Sequence, residues 1–146
     1  AIQPLVPAPV ETAAWLPWMV TLAGMFALLG HSKSIFLNFT GGKSVATSLG
    51  ILLTMHWVVG LGTFGVFLIM LALSRIVSFS SIMGAIAVPI LMILTHQPLP
   101  YILFGLAGGL YVILRHQTNI QRLLAGTEPR LGQKLPETTI PESPQA

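Results

Sequence analysis

Four long uncharged runs constrain the fold of this chain more than any other feature. They cover residues 12–30, 44–74, 76–95 and 97–114. Each run approaches or exceeds the roughly 20 residues that an α-helix needs to cross a bilayer. None alternates polar and apolar residues over about 10 positions, as strands of a membrane β-barrel would. Because helices are the other way to satisfy backbone hydrogen bonds in lipid, the sequence predicts an all-α, polytopic helical membrane protein.

The composition agrees with a chain embedded in a membrane. Hydrophobic residues make up 53% of the 146 residues, charged residues make up 8%, and the mean hydropathy is +0.81. The chain has no cysteine, which excludes disulfides and thiolate chemistry. The seven basic residues lie at the edges of the apolar runs. That distribution favours membrane orientation and argues against a nucleic-acid partner.

The second run decides the expected topology. Residues 44–74 are too many for one crossing and too few for two complete crossings with a turn. A single crossing would place Lys43 and Arg75 on opposite sides of the membrane. If the run folds back near His56, all seven basic residues fall on one face. The positive-inside tendency favours the second arrangement, so we expect a short re-entrant or half-depth helical hairpin whose first helix covers about residues 44–54.

We expect three regions along the chain. Residues 1–13 are interpreted as a linker at a truncation point, because the chain opens with Ala1 and has no signal-peptide pattern. Residues 14–134 are predicted to form the helical membrane domain. Residues 135–146 are rich in proline and polar residues, and they are predicted to form a disordered cytoplasmic tail.

A Gly-Gly-Lys sequence precedes the second run. Gly41 and Gly42 let the backbone approach a ligand closely, and the residues after Lys43 can begin a helix whose first N–H groups are unpaired. A helix N-terminus beside a lysine suits a phosphate. Equally, Lys43 can extend to the lipid headgroups while the glycines form a tight turn. The residues alone leave both interpretations open.

A second polar stretch follows the last run. His116 and Asn119 are spaced so that they share a helix face, Gly126 can end that helix in a left-handed cap, and Glu128 follows the cap. With Lys43 on the same membrane face, these side chains suit an anionic headgroup or a phosphorylated substrate. His116 is equally compatible with an ordinary interfacial histidine. The sequence has no metal-ligand spacing, carboxylate pair or Walker A loop, so it predicts neither a metal site nor a hydrolytic dyad.

The two polar stretches together resemble two motifs of the bacterial acyl-phosphate-dependent glycerol-3-phosphate acyltransferases, the PlsY family. GHSKSIFLNFTGGKSVATSLG is similar to the second motif of that family, and RHQTNIQRLLAGTEPRLGQK is similar to the third. The resemblance implies transfer of a fatty acyl group from acyl phosphate to glycerol 3-phosphate, giving lysophosphatidic acid in phospholipid synthesis. It also implies a multi-pass protein of the bacterial inner membrane, in contact with membrane lipid, with its active site on the cytoplasmic face and no cofactor.

Matching positions in the two motifs imply roles for individual residues. The implied catalytic residues are His116 and Asn119. The implied substrate-binding residues are Gly41, Gly42, Lys43, Ser44 and Glu128. His116 can act as a base or orient the attacking hydroxyl, and Asn119 can donate to developing negative charge. The sequence leaves the choice between these roles open.

Two departures from the family pattern bear on function. Position 44 is serine where the second motif usually continues with glycine, and a serine hydroxyl at a helix start can cap the helix or donate to phosphate. The Gly/Ser/Asn-rich first motif, which contributes to the donor site, is absent from this sequence. The alternative hypothesis is therefore a non-enzymatic lipid- or anion-binding membrane scaffold, or an inactive fragment.

Overall fold

The computed structural model describes residues 10–32 and 42–133, with side chains from residue 14 onward. Six helices lie in these two segments. In chain order they are α1 (Val10–Ser32), α2 (Val45–Met55), α3 (Trp57–Ser74), α4 (Val77–Leu94), α5 (Leu99–Arg115) and α6 (Gln117–Leu124). The predicted all-α class is confirmed. The helix α1 takes in residues 10–13, which were expected to belong to the linker.

Three helical segments are long and apolar enough to cross a membrane. They are Ala14–Ser32, Trp57–Ser74 and Val77–Leu94. Helices α5 and α6 meet the same criterion as a pair, with a bend of 62° between them. Large apolar side chains such as Phe26 and Leu73 are 72% and 76% exposed. Such a surface needs lipid to cover it, which agrees with a polytopic membrane protein.

Helices α2 and α3 form the expected hairpin. His56 between them is extended, with φ −157° and ψ 103°, and it separates the two helices. A Cβ added to Gly60 would lie 2.9 Å from the Cα of Leu53, so the helices pack backbone to backbone directly after the turn. The 11 residues of α2 rise about 16 Å, whereas α3 has 18 residues. The helix α2 is therefore the half-depth arm of the hairpin.

The hairpin brings the polar ends of the helices to one end of the bundle. The ammonium of Lys43, just before α2, donates to Oδ1 of Asn119 in α6 at 2.5 Å. The backbone N–H of Leu131, after α6, donates to the carbonyl oxygen of Arg75 at the end of α3 at 2.7 Å. Lys43 and Arg75 therefore lie at the same end of the bundle. The fold-back predicted from the charge distribution requires this placement, and a single crossing would not allow it.

The buried core occupies the opposite half of the bundle, between α2, α3, α4 and α5. Its residues are Leu52, Val59, Val88, Met92 and Phe104. Helices α4 and α5 approach closely because glycines face the neighbouring helix. A Cβ on Gly109 would lie 2.7 Å from the carbonyl oxygen of Ala85, a distance that no larger residue tolerates without a backbone shift.

Candidate active site

Glu128 is the centre of a hydrogen-bond network at the polar end of the bundle. Its Oε1 accepts from the hydroxyl of Ser78 at 2.5 Å and from the amide of Asn119 at 2.6 Å. Its Oε2 accepts from Nε of Arg122 at 2.6 Å. The side chain of Glu128 is only 6% exposed. One carboxylate therefore ties the start of α4 to α6.

The network keeps Glu128 ionised. Burial opposes its ionisation, but hydrogen bonds from Ser78, Asn119 and Arg122, together with the charge of Arg122, outweigh burial and lower the pKa of Glu128 to about 2. The carboxylate is therefore negatively charged at neutral pH, and it acts there only as a hydrogen-bond acceptor.

The turn after α6 brings Glu128 to this position. Gly126 has a φ of +70°, the left-handed conformation predicted from the sequence. Its N–H donates to the carbonyl of Leu123 at 3.1 Å, and the N–H of Thr127 donates to the carbonyl of Arg122 at 2.8 Å. These two bonds form a Schellman cap, which ends α6 and turns the chain back towards α4.

Asn119 joins the Glu128 network to Lys43. Asn119 is 4% exposed, its amide nitrogen donates to Glu128, and its Oδ1 accepts from Nζ of Lys43. Because an ionised carboxylate can only accept, Glu128 determines which side of the amide is the donor and leaves Oδ1 facing Lys43. The structure thus brings together three of the residues selected from the two polar stretches.

His116 lies at the bend between α5 and α6 and is 2% exposed. Its Nδ1 lies 2.7 Å from the carbonyl oxygen of Val112. A carbonyl oxygen can only accept, so Nδ1 carries the proton, and in the neutral ring Nε2 carries the lone pair. The carbonyl of Val112 therefore fixes the tautomer and leaves Nε2 as the basic nitrogen.

The structure describes the Gly-Gly-Lys sequence only from Gly42 onward. Gly41 lies outside the described residues. The missing side chain of Gly42 makes room for His31, whose Nε2 would lie 3.2 Å from an added Cβ. The left-handed residue is Ser44, with φ 59° and ψ 15°.

Ser44 attaches α2 to α1. Its hydroxyl donates to the carbonyl oxygen of Leu28 at 3.2 Å and also contacts the hydroxyl of Ser32. Ser44 is 2% exposed and Ser32 is fully buried. The side chain of Ser44 makes no hydrogen bond to the first turn of α2, so of the two roles left open for its hydroxyl, it does not cap this helix. The bonds to α1 hold the hydroxyl away from that turn.

A cavity of about 720 Å³ begins at the polar network and runs into the bundle. Its polar end, called the mouth below, is lined by Lys43, His116, Asn119 and Glu128. The rest of its wall comes mainly from apolar residues of α2, α3, α4 and α5. A cavity of this size is typical of a small-molecule site. Its shape and lining suit an amphiphile with an anionic headgroup and an apolar chain.

Ser78 is a site residue that the sequence analysis missed. It stands in an apolar run close to two other serines, Ser80 and Ser81. Those two donate to carbonyl oxygens of their own helix at 2.8 and 2.9 Å, as serines in membrane helices commonly do. Only the position of Glu128 distinguishes Ser78 from its neighbours, and that position depends on the tertiary structure.

Comparison with known proteins identifies the family. The family model described as Glycerol-3-phosphate acyltransferase matches residues 4–126. This chain belongs to the glycerol-3-phosphate acyltransferase family. Similar family members include the Glycerol-3-phosphate acyltransferase of Trichormus variabilis, which is 72% identical over 94% of this chain and 61% of that protein. The protein of the same name from Nostoc sp. is 73% identical over 91% of this chain and 59% of that protein. The chain thus spans about 60% of the length of these relatives.

Two crystal structures of PlsY, an integral membrane glycerol 3-phosphate acyltransferase, share this fold. One is the glycerol 3-phosphate form, with a TM-score of 0.78, and the other is the lysophosphatidic acid form, with a TM-score of 0.79. Both are 33% identical to this family member and cover 84% of it, and it covers 62% and 64% of those chains. The resemblance to the PlsY family and the membrane-embedded helical fold are confirmed.

Proposed function

We propose that this chain supplies the acceptor site and the acyl channel of an enzyme that acylates glycerol 3-phosphate. The donor is acyl phosphate, and the product is lysophosphatidic acid for phospholipid synthesis. The observation that carries the proposal is the single cavity that joins a charged mouth to an apolar interior. The PlsY relative was solved in a glycerol 3-phosphate form and a lysophosphatidic acid form, and these two molecules are the acceptor and the product of the proposed reaction.

Lys43 and the start of α2 bind the phosphate of the acceptor in this proposal. The hydrogen-bond partner of Lys43 is the neutral amide oxygen of Asn119, so the network leaves the charge of Lys43 available to an anion. Val45 and Ala46, in the first turn of α2, line the same cavity. The N–H groups of a first helical turn have no acceptor within the helix and favour a phosphate.

Glu128 acts on the substrate only through Asn119. A buried carboxylate repels a phosphate, and both of its oxygens already accept hydrogen bonds. Glu128 holds the amide of Asn119 in one orientation, and Asn119 then holds Lys43. Glu128 is thus a positioning residue in this proposal.

The chemical step needs no covalent enzyme intermediate, because a mixed anhydride is already activated. The 1-hydroxyl oxygen of glycerol 3-phosphate attacks the acyl carbonyl carbon, the carbon–oxygen bond to phosphate breaks, and inorganic phosphate leaves. Nε2 of His116 accepts the proton of the attacking hydroxyl. Lys43 and the amide of Asn119 stabilise the negative charge that develops at the mouth.

We place the mouth at the cytoplasmic face of the bacterial inner membrane, in contact with membrane lipid. Five basic residues support this orientation, because they lie at or beside the polar ends of the helices: Lys43, Arg75, Arg115, Arg122 and Arg130. Positive charge concentrates on the cytoplasmic side of membrane proteins.

Acyl transfer to glycerol 3-phosphate in membranes that carry the full-length gene product tests the proposal. Lys43→Ala is expected to raise the KM for glycerol 3-phosphate, and His116→Ala is expected to lower kcat. Leu106→Ala is the matched control, because this α5 residue is apolar and 52% exposed. Unchanged activity in both site variants would remove the proposed site. Binding of anionic lipid by a wild-type protein that transfers no acyl group would support the scaffold alternative.

A further inference from the structure

Phe104 closes the apolar end of the cavity. It is 2% exposed and lines the cavity together with Leu52 and Val88, which belong to the same buried cluster. Among the described residues, Val59 and Met92 complete that cluster but do not line the cavity. The cavity therefore ends at the face of the cluster that Leu52, Val88 and Phe104 form.

Two glycines, Gly24 of α1 and Gly108 of α5, lie close to the ring of Phe104 and hold it in place. A Cβ added to Gly24 of α1 would lie 3.0 Å from Cε2 of the ring, so the backbone of α1 packs against this edge. A Cβ added to Gly108 would lie 3.9 Å from Cζ, which places the tip of the ring beside the next turn of α5, on the side of the mouth. The ring is therefore a fixed wall whose tip points towards the mouth.

The distance between the mouth and this wall corresponds to the length of a fatty acyl chain. Phe104 and His116 both line the cavity, and they lie about 18 Å apart along the axis of α5 at 1.5 Å per residue. An extended carbon chain advances about 1.25 Å per carbon, from a bond of about 1.5 Å and near-tetrahedral angles. The ring occupies part of this distance because its tip points towards the mouth, and an extended acyl chain fits in the remainder.

We propose that Phe104 is a specificity-determining residue that sets the longest acyl chain the site accepts. This inference rests on the proposed acyltransferase function and adds what limits its acyl substrate, the length of a chain that reaches the ring. Longer chains meet the ring. Removal of the ring opens space towards Met92, the next buried member of the cluster.

Transfer rates of the full-length gene product are measured with saturated acyl phosphates of graded chain length. Phe104→Ala is expected to shift the preferred chain by about three carbons to longer chains, because the ring extends about 4 Å beyond Cβ. Phe104→Leu keeps a buried apolar side chain and is expected to shift it by about one carbon. Gly108→Val adds volume beside the ring tip and is expected to shift the preference to shorter chains. Leu106→Ala, on the exposed side of α5, is the control for which no shift is expected.

Folding and chain preference are separated by a second measurement. Lysophosphatidic acids of graded chain length are added to each variant, and the rise in Tm is recorded as a function of length. A Phe104→Leu variant that keeps the wild-type Tm and the wild-type chain profile in both assays would overturn the inference. If the wild-type protein transfers no acyl group, the proposed function fails. The Tm measurement still decides the role of Phe104, because it compares the chain length of the lysophosphatidic acid that best stabilises the wild type with the length that best stabilises each variant.

Discussion

The two ends of the cavity are built in opposite ways. At the mouth, Lys43, Asn119 and Glu128 are joined by hydrogen bonds of 2.5 and 2.6 Å. At the closed end, Leu52 and Phe104 meet through apolar surface alone. Hydrogen bonds are directional and position individual atoms, whereas apolar packing limits only shape and volume. The comparison indicates that rate and chain selectivity depend on separate residues and can be changed separately.

The largest expected effect is at Asn119. Asn119→Ala removes the link between Lys43 and Glu128 and leaves the buried carboxylate without one of its donors. We expect kcat/KM to fall about 10²- to 10³-fold, the usual cost of losing a donor from a charge-stabilising site. The fall should be the same for every acyl chain length. Gln117→Ala, at an exposed position two residues earlier in α6, is the control. A loss that varied with chain length would contradict the separation between mouth and channel.

Glu128→Gln is expected to have the next largest effect. The amide keeps an oxygen for Ser78 or Asn119 but loses the charge that strengthens these bonds, so we expect kcat/KM to fall about tenfold. Arg122→Gln should cost less, because Arg122 is 46% exposed and solvent screens its ion pair with Glu128. Steady-state kinetics of both single variants and the double variant measure the two effects. A larger loss for Arg122→Gln than for Glu128→Gln would show that the ion pair, rather than Asn119, transmits the role of Glu128.

Ser44 allows a paired test of the attachment between α1 and α2. Ser44→Ala retains the strain of a side chain at a left-handed backbone position and loses the hydrogen bond to Leu28. We expect this variant to destabilise the fold by about 1 kcal/mol and to raise the KM for glycerol 3-phosphate. Ser44→Gly loses the same bond but also relieves left-handed strain of about 1 kcal/mol, so it should resemble wild type. Thermal unfolding and KM are the measurements. Equal behaviour of the two variants would mean that backbone strain at position 44 has no influence on the site.

The smallest expected effect is the change in the pH dependence of stability that Glu128→Gln causes near neutral pH. Its pKa is about 2 in the folded protein and 4.5 ordinarily, so ionisation of Glu128 stabilises the fold above about pH 4.5. That contribution is lost as the pH falls from about 4.5 to about 2. Denaturant unfolding across this range should show a loss of stability in wild type that Glu128→Gln lacks. Between pH 6 and 8 the two proteins should show the same slope of stability with pH, and a difference there would mean that Glu128 titrates near neutrality.

Several features of the fold were predictable from local sequence. The uncharged runs predicted the membrane helices, because backbone groups in lipid leave few alternatives to helix. The positions of the basic residues predicted the hairpin around His56, because charge on both sides of a crossing would oppose the positive-inside tendency. Gly126 predicted a left-handed cap from its residue type and its position after α6. The two polar stretches also indicated the residues that meet at the mouth, and the roles of those residues remain predictions.

By itself, the sequence determined the class of the protein, its family and the end of the bundle at which its polar residues meet. The class and the common end of the polar residues follow from composition and charge along the chain, and the family follows from the two polar motifs. Only the tertiary structure decided that Ser78 binds Glu128, that Ser44 attaches α2 to α1, and that Phe104 lines the cavity. Each of these facts depends on a neighbour that is distant along the chain or on another helix. The volume enclosed between helices is likewise a property of their packing, which periodicity and composition do not specify.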